Sequence, residues 1–110
     1  MSTVKKQLAS HFIDELWEYC CDVNSLTNAV DRTRLDKAEL KGLTDIERIT
    51  AAYALLLVQV RPDPPTVDEF QAIKDLIQSH CSQSYSALRT LIEKQQRGSG
   101  KGDTRKVEIA

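Results

Sequence analysis

The sequence predicts an all-α protein built as a three-helix bundle, with two long helices and one shorter helix. The first observation is that apolar side chains recur every three or four residues along most of the chain, which is the period of an amphipathic helix. The second is that glycine and proline, which interrupt helices, occur only at Gly42, within 62–65 and within 98–102. No useful length of the sequence shows the two-residue alternation of a half-buried strand.

The composition is that of one folded domain. A chain of 110 residues with 41% hydrophobic side chains is long and apolar enough to bury a core, which excludes wholesale disorder. Fifteen basic and sixteen acidic residues give a net charge of −1, so no overall field attracts nucleic acid or a membrane. The most apolar run, 51–60, is about half as long as a membrane span.

The first helix is predicted over 3–30, and a short helical turn is predicted over 36–41. Asp36 and Glu39 have the spacing of a capping box at the start of that turn, and Gly42 would close it. Continuation of the first helix through this segment is the alternative. The apolar seam of the first helix, with the two residues that widen it, consists of Ala9, Phe12, Leu16, Tyr19, Val23, Leu26 and Val30, together with Ile13 and Cys20.

A second helix is predicted over 44–60. Thr44 and Glu47 have the spacing of a capping box at its start, and Pro62 must end it because proline cannot continue a helix. The segment 62–65 contains three prolines, so it should form a stiff, extended spacer.

A third helix is predicted over 66–96, opened by a capping box at Thr66. A break near Ser82–Ser84 is the alternative, because serines are favoured at helix starts. Residues 97–110 contain three glycines and little apolar surface to offset the entropy of ordering, so we expect a disordered, flexible tail. The predicted helical domain therefore covers 1–96.

The apolar surface of these predicted helices is larger than one chain of this shape can cover. A helix of about 28 residues is about 42 Å long, whereas a middle helix of about 16 residues covers only part of that length. The middle helix is also apolar nearly all round over 51–60. We therefore expect a homodimer that pairs through its long helices, and the alternative is a compact monomer whose helices are shorter or bent.

No catalytic, metal or cofactor site is predicted, and the chain is not expected to be an enzyme. His11 and His80 stand in none of the patterns of nucleophilic or zinc-dependent catalysis. Helices one and three, if parallel, would bring four residues near one another: Cys20, Cys21, His80 and Cys81. Adjacent residues on a helix point about 100° apart, so Cys20 and Cys21 cannot both bind one zinc ion without strain. We expect the cysteines to be small buried apolar residues.

Cysteine usage and the N-terminal sequence predict a cytoplasmic protein. Three cysteines, two of them adjacent, make a poor disulfide framework and suit a reducing compartment. Asp14, Glu15 and Glu18 interrupt the apolar region that a signal peptide would need.

These properties favour a small non-catalytic regulatory protein that binds another protein through an apolar helical surface. An inhibitor or anti-activator that masks a transcription regulator is one example, and a chaperone-like adaptor is another. Trp17 lies outside the strict seam, so it either widens the core face or serves as an exposed binding anchor. The residues predicted for dimerisation or partner binding are Phe12, Leu16, Trp17, Tyr53, Leu56, Leu57 and Tyr85.

The alternative function is that of a small DNA-binding regulator. Residues 68–94 could fold as a helix-turn-helix with its turn near 80–82, and the tail beyond Arg97 has a local excess of positive charge. Against this, the turn lacks glycine, and the recognition helix would carry only Arg89 and Lys94 as cations.

Overall fold

Three α-helices account for most of the chain in the computed structural model, which describes the backbone of residues 8–109 and the side chains of residues 8–97. Helix α1 spans Ser10–Ala29, α2 spans Lys37–Val60 and α3 spans Val67–Ile109. A single 3₁₀ turn, Arg32–Arg34, lies between α1 and α2. The predicted all-α fold is confirmed, and the described residues contain no strand beyond an isolated bridge.

The core lies along α1, which packs extensively against both other helices, whereas α2 and α3 share a smaller contact. Buried positions on α1 alternate by three and four residues, which is the spacing of a helix contacted along one stripe. The buried apolar residues are Ala9, Ile13, Leu16, Cys20, Val23, Val30, Leu43, Leu57, Phe70, Ile77, Cys81 and Leu88. Because the α2–α3 contact is small, part of α2 is left uncovered by the other described helices.

The centre of the α1 seam is rotated relative to the predicted one. Ile13, Cys20 and Thr27 are buried, whereas Phe12 is half-buried. The apolar pattern of the sequence did not indicate this rotation, because Thr27 is polar. Its hydroxyl can be buried because it donates to the Asn24 carbonyl at 2.7 Å within the helix. Every buried polar side-chain atom in the described part of the chain has a hydrogen-bond partner.

Helix α1 begins later than predicted. Leu8 is not helical but forms an antiparallel bridge with Thr66, and the Ala9 N–H donates to the Pro65 carbonyl at 3.0 Å. These contacts attach the chain just before Ser10 to the proline-containing spacer. The predicted helical residues before Leu8 lie outside the described residues.

Helix α2 is one continuous helix, so the predicted division into 36–41 and 44–60 is wrong. The Asp36–Glu39 capping box is confirmed, with the Glu39 N–H donating to Asp36 at 2.8 Å. Thr44 caps no helix, and its hydroxyl donates to the carbonyl of the preceding turn. Glycine costs a helix only about 1 kcal/mol, and burial of Leu43 in the core outweighs that cost.

Helix α3 begins with the predicted capping box. The Thr66 N–H donates to Glu69 Oε1 at 3.0 Å, and the Glu69 N–H donates to Thr66 Oγ1 at 3.2 Å. The helix is unbroken across Ser82–Ser84, so the alternative break is absent. Ser84 is buried and its hydroxyl faces His80, which explains how a serine is accommodated inside the bundle.

The bundle ends near Gln95, although α3 does not. The Gln95 side chain accepts from the Asp31 N–H at 3.0 Å and donates to the Asp31 carbonyl at 2.9 Å, which joins α3 to the end of α1. Helix α3 then continues to Ile109, beyond its predicted end at 96. Flexibility of the tail, 97–110, stays a prediction.

The helix lengths also differ from the predicted pattern of two long and one shorter. Helices α1 and α2 contain 20 and 24 residues, and α3 contains 43. The strongly exposed large apolar side chains within these helices lie on α2 and α3 and not on α1.

We predict that Gly42→Ala stabilises the protein. Gly42 has an ordinary helical backbone, and a Cβ added there would meet nothing within 4 Å. Alanine reduces the entropy of the unfolded chain, so the free energy of unfolding should rise by about 0.5–1 kcal/mol in urea titrations. Ala72→Gly, at an exposed position inside α3, is the reverse control and should lower it. Destabilisation by Gly42→Ala would show that α2 bends at this residue.

Candidate interaction surface

The outward side of the C-terminal half of α2 is mostly apolar, with Gln59 as an exposed polar residue, and no other helix of the described residues covers it. No charged residue occurs from Ile49 to Val60. The exposed fractions are 58% for Leu55, 49% for Val58 and 44% for Ile49. We call this the α2 outer face, and its members are Ile49, Ala51, Ala52, Leu55 and Val58.

Apolar surface continues from α2 onto α3. Lys94 pairs with Glu39 at 3.0 Å, and the rings of His80 and Tyr53 are 5.4 Å apart, which fixes the antiparallel register of the two helices. That register places Leu76 close to the level of Leu56. Leu76 is 60% exposed, the largest exposed fraction among the large apolar side chains described, and Leu56 is half-buried. The open side of the α2–α3 contact is therefore also apolar.

On the opposite side, the α2 outer face adjoins Trp17 of α1. The Trp17 side chain is half-buried, and the Arg61 guanidinium lies 5.9 Å from the centre of its ring. Arg61 also forms an ion pair with Asp14, which holds the guanidinium in place. These residues and Val58 line one shallow depression. Tryptophan and arginine are enriched at the energetic centres of protein interfaces.

Of the residues predicted from the sequence to bind a partner, Leu16 and Leu57 are fully buried in the chain's own core. Phe12 is half-buried, with the Lys74 ammonium 4.9 Å from its ring centre. Leu16 and Leu57 are therefore not part of the exposed surface, and partner contact by the predicted set stays a prediction.

The other predicted residues are accessible to different degrees. Trp17, Tyr53 and Leu56 are half-buried and border the α2 outer face or the α2–α3 contact. Tyr85 is 42% exposed on α3, where Arg89 donates to its hydroxyl at 3.3 Å. The structure thus places Tyr85 apart from the others, on the side of α3 that faces α1.

Four strongly exposed apolar residues were missed as site residues by sequence reasoning: Ile49, Leu55, Val58 and Leu76. A usable signal existed for three of them, because the uncharged stretch from Ile49 to Val60 wraps fully around α2. A helix packed in a bundle of three cannot bury its whole circumference, so some of that stretch had to be exposed.

His80 lies in a polar cluster between α2 and α3. Its Nε2 atom is 2.8 Å from Thr50 Oγ1, and its Nδ1 atom is 3.4 Å from Ser84 Oγ. The Tyr53 ring packs edge-on against the imidazole. Burial among these uncharged groups lowers the pKa of His80 below its ordinary value of 6.5.

The four residues that parallel helices would bring near one another do not converge. Cys20 and Cys81 are buried and face each other between α1 and α3, whereas Cys21 is exposed. His80, beside Cys81 in sequence, faces α2. Within the described residues, no three His, Cys, Asp or Glu side chains are grouped so as to hold a metal ion.

The helix-turn-helix interpretation of 68–94 is wrong as a description of the fold. Helix α3 runs without interruption through 80–82, where that motif needs its turn. Two separate helices are therefore not available to cross the DNA backbone and enter a groove in the manner of that motif.

Comparison with protein-family models, with curated proteins and with solved structures finds no match to this chain. In the described part of the chain, none of the helices combines the length and apolar character that crossing a bilayer requires. A function must therefore be inferred from the surface itself.

We predict that His80 makes the protein less stable as the pH falls. The native state disfavours protonated His80, whereas the unfolded chain gains its proton near the ordinary pKa of 6.5. The contribution of neutral His80 is therefore complete above that value and is lost as the pH falls through 6.5 toward the lower native pKa.

Urea unfolding between pH 8 and pH 5 measures this effect. The free energy of unfolding of the wild-type chain should fall over that range, and His80→Gln should flatten the dependence whatever its absolute stability. His11→Gln, which removes the exposed histidine of α1, is the matched control for the loss of an imidazole. If the free energy of unfolding depends equally on pH in wild type and His80→Gln, His80 is not the group that causes the loss of stability.

Proposed function

We propose that the protein is a small non-catalytic regulator that binds another protein through the α2 outer face. The observation that carries the proposal is the exposure of Ile49, Leu55 and Val58 on a helical surface without charged residues. Isolated exposed apolar residues are normal on proteins, but a contiguous apolar patch is typical of an interaction site.

The partner surface that fits is the apolar stripe of another helix. Ala51 and Ala52 are exposed beside Leu55, and their small side chains leave room for a second helix to approach closely. Twelve uncharged residues of α2 extend over about 18 Å, which covers about three turns of a docked helix. Anchors at positions i, i+3, i+4 and i+7 of the partner would contact such a surface.

Trp17 and Arg61 supply the polar edge of this site. Their stacked arrangement beside Val58 gives a partner an aromatic surface and a guanidinium in a position already fixed by Asp14. Groups held in place before binding lose less entropy when a partner docks. An inhibitor that masks the recruitment or dimerisation helix of a transcription regulator, or a chaperone-like adaptor, would use a surface of this kind.

We also propose that, without such a partner, two copies of the chain pair through the α2 outer face. Burial of a Leu or Ile side chain contributes about 1.5–3 kcal/mol, so covering this face is favourable. A two-fold pairing is the commonest way for identical chains to do so. The proposed homodimer therefore uses α2, and partner binding would compete with it.

We predict that the wild-type chain sediments as a dimer at high micromolar concentration and that Leu55→Glu makes it a monomer. The carboxylate that Leu55→Glu introduces in the middle of the paired faces would lose its water without gaining an opposite charge or a hydrogen-bond donor. Leu40→Glu is the matched control, since Leu40 is exposed on the same helix before the uncharged stretch. A monomeric wild-type chain over the whole concentration range would overturn the homodimer proposal.

We predict that the same substitution removes partner binding. Affinity capture from the native host, with the retained proteins identified by mass spectrometry, should yield one protein in stoichiometric amount with wild-type chain and with Leu40→Glu. Leu55→Glu should weaken binding of that purified protein at least about tenfold, since about 1.4 kcal/mol corresponds to a tenfold change in Kd.

The proposal that another protein binds the α2 outer face can be contradicted separately from the homodimer proposal. If the purified partner binds Leu55→Glu as tightly as it binds wild type, the α2 outer face is not the site, whatever the oligomeric state. Circular dichroism of both variants verifies that the helices are retained, as expected for substitutions at exposed positions.

A further inference from the structure

Two cysteines from different helices meet inside the bundle. Cys20 lies in the centre of the α1 seam and Cys81 in the facing seam of α3, and both are at least 95% buried. Cys21, the next residue on α1, points to solvent. The chain therefore contains one facing pair of thiols and one separate exposed thiol.

The two thiols interact directly. The contact between the two thiols lowers the pKa of Cys81, against the opposing effects of burial and of the Asp22 carboxylate, whereas the same contact and burial raise the pKa of Cys20. Within the pair, Cys81 is therefore the more easily ionised thiol. Thiolate, and not thiol, is the nucleophile in reactions of cysteine.

Cys81 is also the member of the pair that can be reached from outside. A cavity of about 510 Å³ lies between α1 and α3, and Cys81 forms part of its wall. Tyr19 and Tyr85 flank the cavity, Ser82 and Gln78 give it polar groups, and the Asp22 carboxylate is also in its wall. A small polar oxidant such as a hydroperoxide fits this space, and Cys20 is not among the residues that line it.

We propose that Cys20 and Cys81 form a redox site in which a hydroperoxide oxidises the two thiols to a disulfide that links α1 to α3. The thiols already face each other across the two parallel helices, and the bond requires the sulfur atoms to approach to about 2.05 Å. This inference is independent of the proposed function of the α2 outer face.

The chemistry balances in two steps. The Cys81 thiolate attacks one oxygen of the hydroperoxide, the O–O bond breaks, and the leaving oxygen takes a proton, which gives a sulfenic acid on Cys81 and an alcohol or water. The Cys20 thiol then gives its proton to the oxygen that leaves Cys81 as its sulfur attacks the Cys81 sulfur, so the S–S bond forms, the S–O bond breaks and water departs. Two thiols are oxidised, and the peroxide is reduced.

We expect the Cys20–Cys81 pair to be reduced when no oxidant is present. In a reducing compartment both cysteines stay free, and a disulfide forms when peroxide appears. A bond between these positions closes a loop of about 60 residues, so the oxidised chain should be more resistant to unfolding than the reduced chain.

The test treats the fully reduced wild-type chain with one equivalent of hydrogen peroxide under native conditions. The expected product is a chain that is not cross-linked to another chain and is lighter by two hydrogen atoms, in which proteolysis and mass spectrometry find the peptides of Cys20 and Cys81 joined. Its urea midpoint should be higher than that of the reduced chain, and a reductant should reverse both changes.

Variants separate the roles of the three cysteines. Cys21→Ser is the matched control and should give the same internal disulfide as wild type. Cys20→Ser should stop at a sulfenic acid on Cys81 that a dimedone probe traps, whereas Cys81→Ser should leave Cys20 unreacted.

The wild-type reaction remains decisive even if a core variant fails to fold. If Cys20 and Cys81 are still free for alkylation in urea after native oxidation, the proposal is overturned. A product joined only through Cys21 between two chains would overturn it equally. A rate no faster in the native chain than in the urea-unfolded chain would show that the fold does not assemble the site.

Discussion

The position of α1 between its two neighbours determines most of this structure. One seam of α1, from Ala9 to Val30, supplies the larger part of the contact with both α2 and α3, and those two helices contact each other much less. A helix contacted by only one extensive neighbour buries only one stripe. Helix α2 is apolar over nearly its whole circumference between Ile49 and Val60, so the side turned away from α1 is left in water.

Signals that act within a few residues were sufficient to predict the class of fold. The capping boxes at Asp36 and Thr66 satisfy backbone groups locally, and their geometry does not depend on the rest of the chain. The prolines after Arg61 end a helix for an equally local reason. The three-and-four spacing identified the helices because every amphipathic helix has that period, whatever it packs against.

Features of the structure that depend on tertiary packing could not be predicted from the sequence. Gly42 looked like a stop, but it stays helical because burial of Leu43 on the core side outweighs a small local cost. Thr27 is polar, yet it is buried in the core because its hydroxyl is satisfied within α1. For the candidate interaction surface, periodicity cannot tell which side of a helix is covered when the helix is apolar all round. The sequence therefore could not show that Leu57 is buried and Leu55 is exposed.

The two proposed sites occupy different flanks of α1, and this separation has a mechanical consequence. Cys20 and Cys81 lie on the α1–α3 side, whereas Trp17 and the α2 outer face lie on the α1–α2 side. A bond between the thiols would link α3 to α1. Helix α2 is attached mainly through α1, so its outward surface would keep its composition when the thiols are oxidised. The disulfide would restrict the movement of α1, against which α2 packs. A partner whose binding requires α2 to shift relative to α1 would therefore bind the oxidised chain differently. A partner that binds the α2 outer face without such a shift would bind both forms alike.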